Sequence, residues 1–339
     1  VEVIMKLEEI GFYTLSQYRA SRASVQTDLW RCEIILTDRC NFKCPYCRGV
    51  REDCRGTMDY KIAQKVIMAW SLAGLKNIRF SGGEPTLVQF VLNNMVALSK
   101  SMGMEHIAIS TNGSSSMDIY EGLIKSGVND ISVSLDACCS STGKTMTGGI
   151  EGMWETVTAN IAKLSKMTYV TVGIVLTEDN LAEAEKTIKL AHDLGVADIR
   201  IIPAAQFGNS LAKINIPDDI LEAHKILKYR IENARKGNPI RGLRPTDFNR
   251  CPLVLDDMAV AGGCGHGGPH HYPCIIYFRE GGAPIGEFDA CDIKAVRQAR
   301  KKWAETHDCS KDPICSKNCL DVCVEYNNTW YERRLAGSG

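Results

Sequence analysis

From Arg31 to Pro203, short apolar runs rich in β-branched residues alternate with stretches of helical spacing. The runs are Cys32–Thr37, Asn77–Phe80, His106–Ser110, Asp130–Leu135, Tyr169–Val175 and Asp198–Pro203, and each reads as a buried parallel strand. Between them Ile62, Val66 and Trp70 recur every four residues, and Leu181, Ala184, Ile188 and Ala191 at intervals of three and four. That is one apolar stripe per helix. Six strand–helix units in about 170 residues predict a parallel sheet covered by helices. Periodicity does not decide between an open sheet and one curled into a partial barrel.

Polar, glycine-rich segments follow the strands: Asp38–Val50, Ser81–Pro85, Thr111–Ser116 and Asp136–Gly149. In parallel α/β folds, ligands bind at the C-terminal ends of strands, where such segments lie. A helix over Asp218–Arg235 follows. From Lys236 the strand–helix rhythm is lost, and Gly, Pro, His and Cys crowd into the stretch CGHGGPHHYPC. A region so poor in apolar periodicity needs another source of order, and bound metal supplies one. The expected divisions are an N-terminal segment 1–30, an α/β unit 31–236 and a cysteine-rich unit 237–330.

The chain has 339 residues, 45% hydrophobic and 24% charged, within the ordinary globular range. Forty basic and forty acidic residues cancel, so neither nucleic acid nor an anionic membrane is an expected partner. No apolar run approaches the roughly 20 residues that span a bilayer. The first residues lack the pattern of a secretory signal, and a cytoplasmic location is expected.

Cysteine changes the picture. Fifteen cysteines without an export signal argue for metal rather than a disulfide framework. Five fall between Cys32 and Cys54, two at Cys138 and Cys139, none from Ser140 to Arg250, and eight between Cys251 and Cys323. Cys40, Cys44 and Cys47 have the spacing C-x3-C-x2-C on the loop after the first strand. Three thiolates there can hold three irons of a [4Fe–4S] cube, which normally takes four cysteines, and leave one iron open. A zinc site with a distant fourth cysteine is the alternative from spacing alone.

The order of strand-end motifs favours iron. Ser81-Gly82-Gly83-Glu84-Pro85 follows the second strand, Ser110-Thr111-Asn112-Gly113 the third, and Ser134 and Asp136 the fourth. With the cysteine loop, these residues resemble the radical S-adenosylmethionine (radical SAM) superfamily over about Cys32 to Pro203. The resemblance implies a partial (β/α)6 TIM-like barrel with a C-terminal cysteine-rich iron–sulfur extension. It implies that S-adenosylmethionine chelates the open iron, with Tyr46 near the adenine. Gly82, Gly83, Glu84 and Pro85 would lie at the ammonium group, and Ser110, Thr111 and Asn112 at the ribose and carboxylate. By strand alternation, Ser134 and Asp136 face one way, into the site. Thr171–Val175 and Ile199–Pro203 would supply apolar contacts. The implied reaction is reductive cleavage to a 5′-deoxyadenosyl radical that abstracts hydrogen, driven by a flavodoxin- or ferredoxin-type reductant.

The distal cysteines are Cys251, Cys264, Cys274, Cys291, Cys309, Cys315, Cys319 and Cys323. Tyr272-Pro273-Cys274 and the C-x5-C-x3-C of Cys309, Cys315 and Cys319 resemble a SPASM or twitch extension, which holds one or two auxiliary [4Fe–4S] clusters. The usual C-x2-C before that motif is missing, because Thr306 stands three residues ahead of Cys309. A structural zinc site built from Cys264 and Cys274 with His266, His270 or His271 is the alternative. Cys251 is either a further ligand or a thiol that returns a hydrogen atom to a substrate radical. Cys138 and Cys139 read as packing residues.

Peptide modification by crosslinking, oxidation or epimerisation is the leading expectation from the extension. Only about 30 residues precede the first strand, short for a leader-binding domain. An epimerase or dehydrogenase of an aminosugar or other small metabolite is therefore a close rival. The barrel half also resembles the GTP cyclase of molybdenum-cofactor synthesis. A non-catalytic iron–sulfur or zinc protein would have no use for the strand-end motifs.

Overall fold

A computed structural model describes residues 22–48, 56–204, 208–238, 240–241, 250–262 and 268–319. Six parallel strands, β1 (Arg31–Thr37), β2 (Asn77–Gly82), β3 (His106–Thr111), β4 (Asp130–Ser134), β5 (Tyr169–Leu176) and β6 (Asp198–Pro203), lie side by side in chain order. Each expected strand is present, with bounds differing by a residue or two.

Helices α1 (Tyr60–Leu72), α2 (Gln89–Ser101), α3 (Met117–Ser126), α4 (Ser140–Met146), α5 (Met153–Leu164) and α6 (Ala184–Asp193) fill the crossovers. Asp59 starts α1 by accepting the amides of Lys61 and Ile62 at 2.8 and 3.2 Å. The helix then buries Ala63, Val66, Ile67 and Trp70, one stripe at helical spacing.

Strand residues alternate between two environments. Ile34, Phe80, Ile109, Ile131, Val172 and Ile199 are fully buried in the main hydrophobic core. The opposite face carries Arg31, Glu33, Arg79, Ser110, Ser132 and Arg200, which line a cavity. Buried charge is tolerated there because it is paired. Arg79 bonds Asp130 at 2.9 Å and Ser110 at 3.0 Å, Ser81 donates to Glu33 at 2.6 Å, and Arg200 to Ser132 at 2.5 Å. Polar and charged residues therefore interrupt the apolar runs on the cavity face, so the strands are not apolar throughout.

Two regions depart from the expected elements. The Asp218–Arg235 helix is two, α7 (Asp218–Ala223) and α8 (Lys225–Arg235), broken at His224. That residue is extended (φ −124°, ψ 96°) and its buried ring meets His192 Nδ1 at 3.0 Å. The cysteine-rich region holds more regular structure than its composition suggests. Strand β7 (Asp257–Ala261) adds in parallel to the free edge of β1, with Ile34 opposite Val260. Strands β8 (His270–Tyr272) and β9 (Gly286–Glu287) continue the sheet antiparallel, to nine strands among the described residues. Helices α9 (Ile275–Arg279), α10 (Ile293–Thr306) and α11 (Cys315–Asn318) complete it. Buried Arg300 of α10 anchors this half by donating to the carbonyls of Val254, Tyr272 and Asp257 at 2.8, 2.9 and 2.6 Å. Among the described residues, no helix is long and apolar enough to cross a membrane.

Candidate active site

The loop after β1 is held from two sides. Gly83 N–H donates to Thr37 O and Glu84 N–H to Arg39 O, both at 2.7 Å. A Cβ on Gly83 would stand 2.2 Å from Arg39 O, so the approach requires glycine. Lys43 N–H donates to Thr147 O at 3.0 Å, which fixes the loop against the turn after α4.

Cys40, Cys44 and Cys47 on this loop line a cavity of about 420 Å³ at the C-terminal ends of the strands. Burial pushes the Cys44 thiol up to about 12 and raises that of Cys40. The thiolates a metal needs are thus disfavoured until a cation neutralises them.

The other strand ends converge on the same cavity. Tyr46 donates its phenol to Asp136 Oδ2, while Val175 N–H donates to Asp136 Oδ1 at 2.6 Å. Burial pushes the Asp136 carboxyl up to about 6. Gly82, Gly83, Ser110, Thr111, Asn112 and Ser134 line the cavity as well. Gly173, Val175 and Ile202 face it from β5 and β6.

Glu84 and Pro85 stand behind the wall. Both are buried, and Glu84 accepts Thr86 Oγ1 at 2.6 Å, Thr111 Oγ1 at 2.8 Å and the Asn112 amide at 2.6 Å. Instead of reaching the cavity, its carboxylate ties the β2 loop to the β3 loop.

The distal half closes the cavity. Cys251, Cys274, Cys309, Cys315 and Cys319 line the wall facing the cysteine loop. Arg48, next to Cys47, and Arg241 both bond Glu280, the latter at 2.9 Å, and this clasp joins the two walls. Cys291 is exposed and outside the lining. Cys264, His266 and Cys323 lie outside the described residues. His270 and His271 sit in β8, where His271 is buried beside Arg300, 3.2 Å away.

Cys138 and Cys139 are half-buried, and their sulfurs and a Glu183 carboxylate oxygen lie within 4.8 Å of one another, beyond the cavity lining. Sequence reasoning missed the inward arginines. The signal was there: charged or hydroxyl residues at alternate positions of otherwise apolar strands, as in Arg31-Cys32-Glu33 and Asp130-Ile131-Ser132.

Residues 34–191 match the radical SAM superfamily. This stretch is a radical SAM domain. The family works with a [4Fe–4S] cluster and S-adenosylmethionine, and the thiols lining the strand-end cavity, Cys40 and Cys44 half-buried and Cys47 exposed, fit the cluster. The cysteine-rich groups of the distal half could bind auxiliary clusters.

The chain is 28% identical over 204 residues to a probable GTP 3′,8-cyclase of Saccharolobus solfataricus, covering 58% of this chain and 63% of that one. It is 33% identical over 120 residues to the GTP 3′,8-cyclase of Clostridium botulinum, covering 34% and 38%. The matches thus span less than two thirds of either relative's length. Among solved structures, SuiB of Streptococcus suis bound to its precursor peptide SuiA superposes with a TM-score of 0.58 at 14% identity, over 88% of this chain and 76% of that one. The fold also matches that of native anSMEcpe with bound AdoMet, TM-score 0.55 at 12% identity, over 91% of this chain and 98% of that one. At these identities the likeness is one of fold.

Proposed function

We propose that the protein is a radical SAM enzyme that modifies a peptide through hydrogen-atom abstraction. The observation that carries this reading is the convergence of Cys40, Cys44 and Cys47, the strand-end motifs and the distal cysteines on one cavity. Cys40, Cys44 and Cys47 would hold the cluster, which together with S-adenosylmethionine would supply the hydrogen-abstracting chemistry needed at an unactivated C–H bond.

The chain's own residues hold and shield that chemistry. Cys40, Cys44 and Cys47 hold the cluster. Gly82 and Gly83 offer backbone at close range, and Ser110, Thr111, Asn112 and Ser134 offer polar groups along the cofactor. Tyr46 and Asp136, held to each other in the cavity wall, would receive the adenine end. Glu84 acts one row behind, through Thr111 and Asn112. Val175 and Ile202 line the cavity with apolar surface and would keep competing hydrogen donors away from the reacting centre. Residues 31–236 form the cofactor-binding unit and 237–330 the auxiliary-cluster unit. Cys251, Cys274, Cys291, Cys309, Cys315 and Cys319, with Cys264 and Cys323 outside the described residues, are the auxiliary ligand candidates.

Peptide as substrate is supported by the fold shared with SuiB, solved with its precursor peptide. A nucleotide is the second reading, favoured by the identity with GTP 3′,8-cyclases. Anaerobically reconstituted protein, given dithionite and S-adenosylmethionine, separates the two. A pool of short peptides should raise 5′-deoxyadenosine formation above the substrate-free rate, while GTP should not. Stimulation by GTP alone overturns the peptide reading.

A further inference from the structure

Helix α10 ends at His307, whose backbone turns extended (φ −79°, ψ 122°) and carries the chain toward Cys309. The next turn brings Cys315 back to the same point. A ring nitrogen of His307 and the sulfurs of Cys309 and Cys315 all lie within 4.8 Å of one another. Cys309 is buried, 3% exposed, and the other two are half-buried. Two thiols and an imidazole form a donor set suited to iron–sulfur or zinc centres, not to the hard oxygen-seeking cations.

Aromatic packing holds the imidazole in place. Its ring stacks on Trp303, one turn back, with centroids 4.0 Å apart and planes at 15°. Tyr277 meets both rings edge-on. Asp312 Oδ2 stands 3.0 Å from His307 Nε2 and also accepts the Tyr277 hydroxyl at 2.9 Å. Asp312 Oδ1 is pinned by the amides of Ile314 and Cys315 at 2.7 and 2.8 Å. His307 Nε2 is buried and makes no hydrogen bond among the described residues despite the proximity of Asp312 Oδ2, so the carboxylate is fixed beside a ring nitrogen that is left open to a metal. Trp303, Cys309 and Cys315 also line the cavity that the cluster loop faces.

We propose that His307 is a ligand of the distal iron–sulfur centre, supplying an imidazole beside the thiolates of Cys309 and Cys315. The assignment rests on the reading of the distal cysteines as an auxiliary cluster site. It also answers the absence of a cysteine three residues ahead of Cys309, since the residue after Thr306 offers a nitrogen instead. A neutral imidazole in place of a thiolate leaves the centre one negative charge poorer. Histidine ligation raises the potential of iron–sulfur centres, so this one accepts an electron more readily than an all-thiolate cluster.

The test uses the full chain with Cys40, Cys44 and Cys47 replaced by alanine, reconstituted anaerobically so that only distal iron remains. Pulsed electron paramagnetic resonance of the dithionite-reduced protein should show a strongly coupled nitrogen that changes when histidine is supplied as ¹⁵N. His307→Cys should keep the iron, lose that coupling and shift the potential to more negative values; His307→Ala should also lose the coupling. Distal iron with no histidine coupling, or a coupling that persists in His307→Cys, overturns the ligand assignment alone. No distal iron in the parent protein, or zinc in its place, overturns the auxiliary-cluster reading beneath it.

Discussion

Tyr46 donates its phenolic hydrogen bond to Asp136, joining the cysteine loop to the end of β4 across 90 residues of chain. The neighbour of two proposed cluster ligands is thereby tied to the wall where the nucleoside of the cofactor would lie. Tyr46→Phe removes the donor and leaves a buried carboxylate with one partner fewer. The expected result is unchanged iron content with S-adenosylmethionine binding weakened by about 1–2 kcal/mol, roughly five- to thirtyfold. Calorimetric titration of the reconstituted variant checks it; lost iron would mean that the phenol holds the loop itself.

A second expectation concerns backbone approach. Gly83→Ala places a methyl 2.2 Å from Arg39 O, whereas Gly122→Ala in α3 meets nothing within 4 Å. Gly83→Ala should cost about 1–3 kcal/mol of apoprotein stability and reduce cluster loading. Gly122→Ala should be neutral or slightly stabilising, because alanine is the better helix former. Thermal melts and iron counts of the two variants make the comparison.

Much of this arrangement was legible before any coordinates. The six strands followed from β-branched runs, and the cavity residues from polar segments after those runs. Besides the inward arginines, two things were not. Glu84 reads like a ligand-facing acid in one dimension, but only the fold shows Thr86, Thr111 and Asn112 already occupying its carboxylate. The β7 strand was hidden because Asp257-Met258-Ala259-Val260-Ala261 is short and sits amid glycine and cysteine. Its pairing to β1 is a long-range contact that no local pattern encodes.

Cys251 lines the cavity, half-buried, at the start of the short turn Pro252–Leu255. If it is an auxiliary ligand, as we expect, Cys251→Ala should lose iron and destabilise the distal half. Full iron content with continued cofactor cleavage, and a dehydrogenated by-product, would assign it instead as the hydrogen donor of an epimerase. Product formed in deuterated water would then carry one solvent deuterium.

Acid stability reports on the break between α7 and α8. Burial lowers the pKa of His224 from 6.5 to about 4, so the folded state favours the neutral ring. The contribution is complete above pH 6.5 and is lost as the pH falls toward 4, with a span of about 3 kcal/mol. His224→Asn should flatten the fall in apoprotein melting temperature across this window. An unchanged slope would show that other groups carry it.

The central claim is that Cys40, Cys44 and Cys47 hold the cluster that cleaves S-adenosylmethionine. The direct measurement is 5′-deoxyadenosine formation by anaerobically reconstituted protein with dithionite and S-adenosylmethionine, in the wild type and in each Cys→Ala variant. The account predicts turnover in the wild type and none in Cys40→Ala, Cys44→Ala or Cys47→Ala, each with about four irons fewer, as one cube per site requires. Cleavage retained in any of the three variants, or absent from fully iron-loaded wild type, would contradict it.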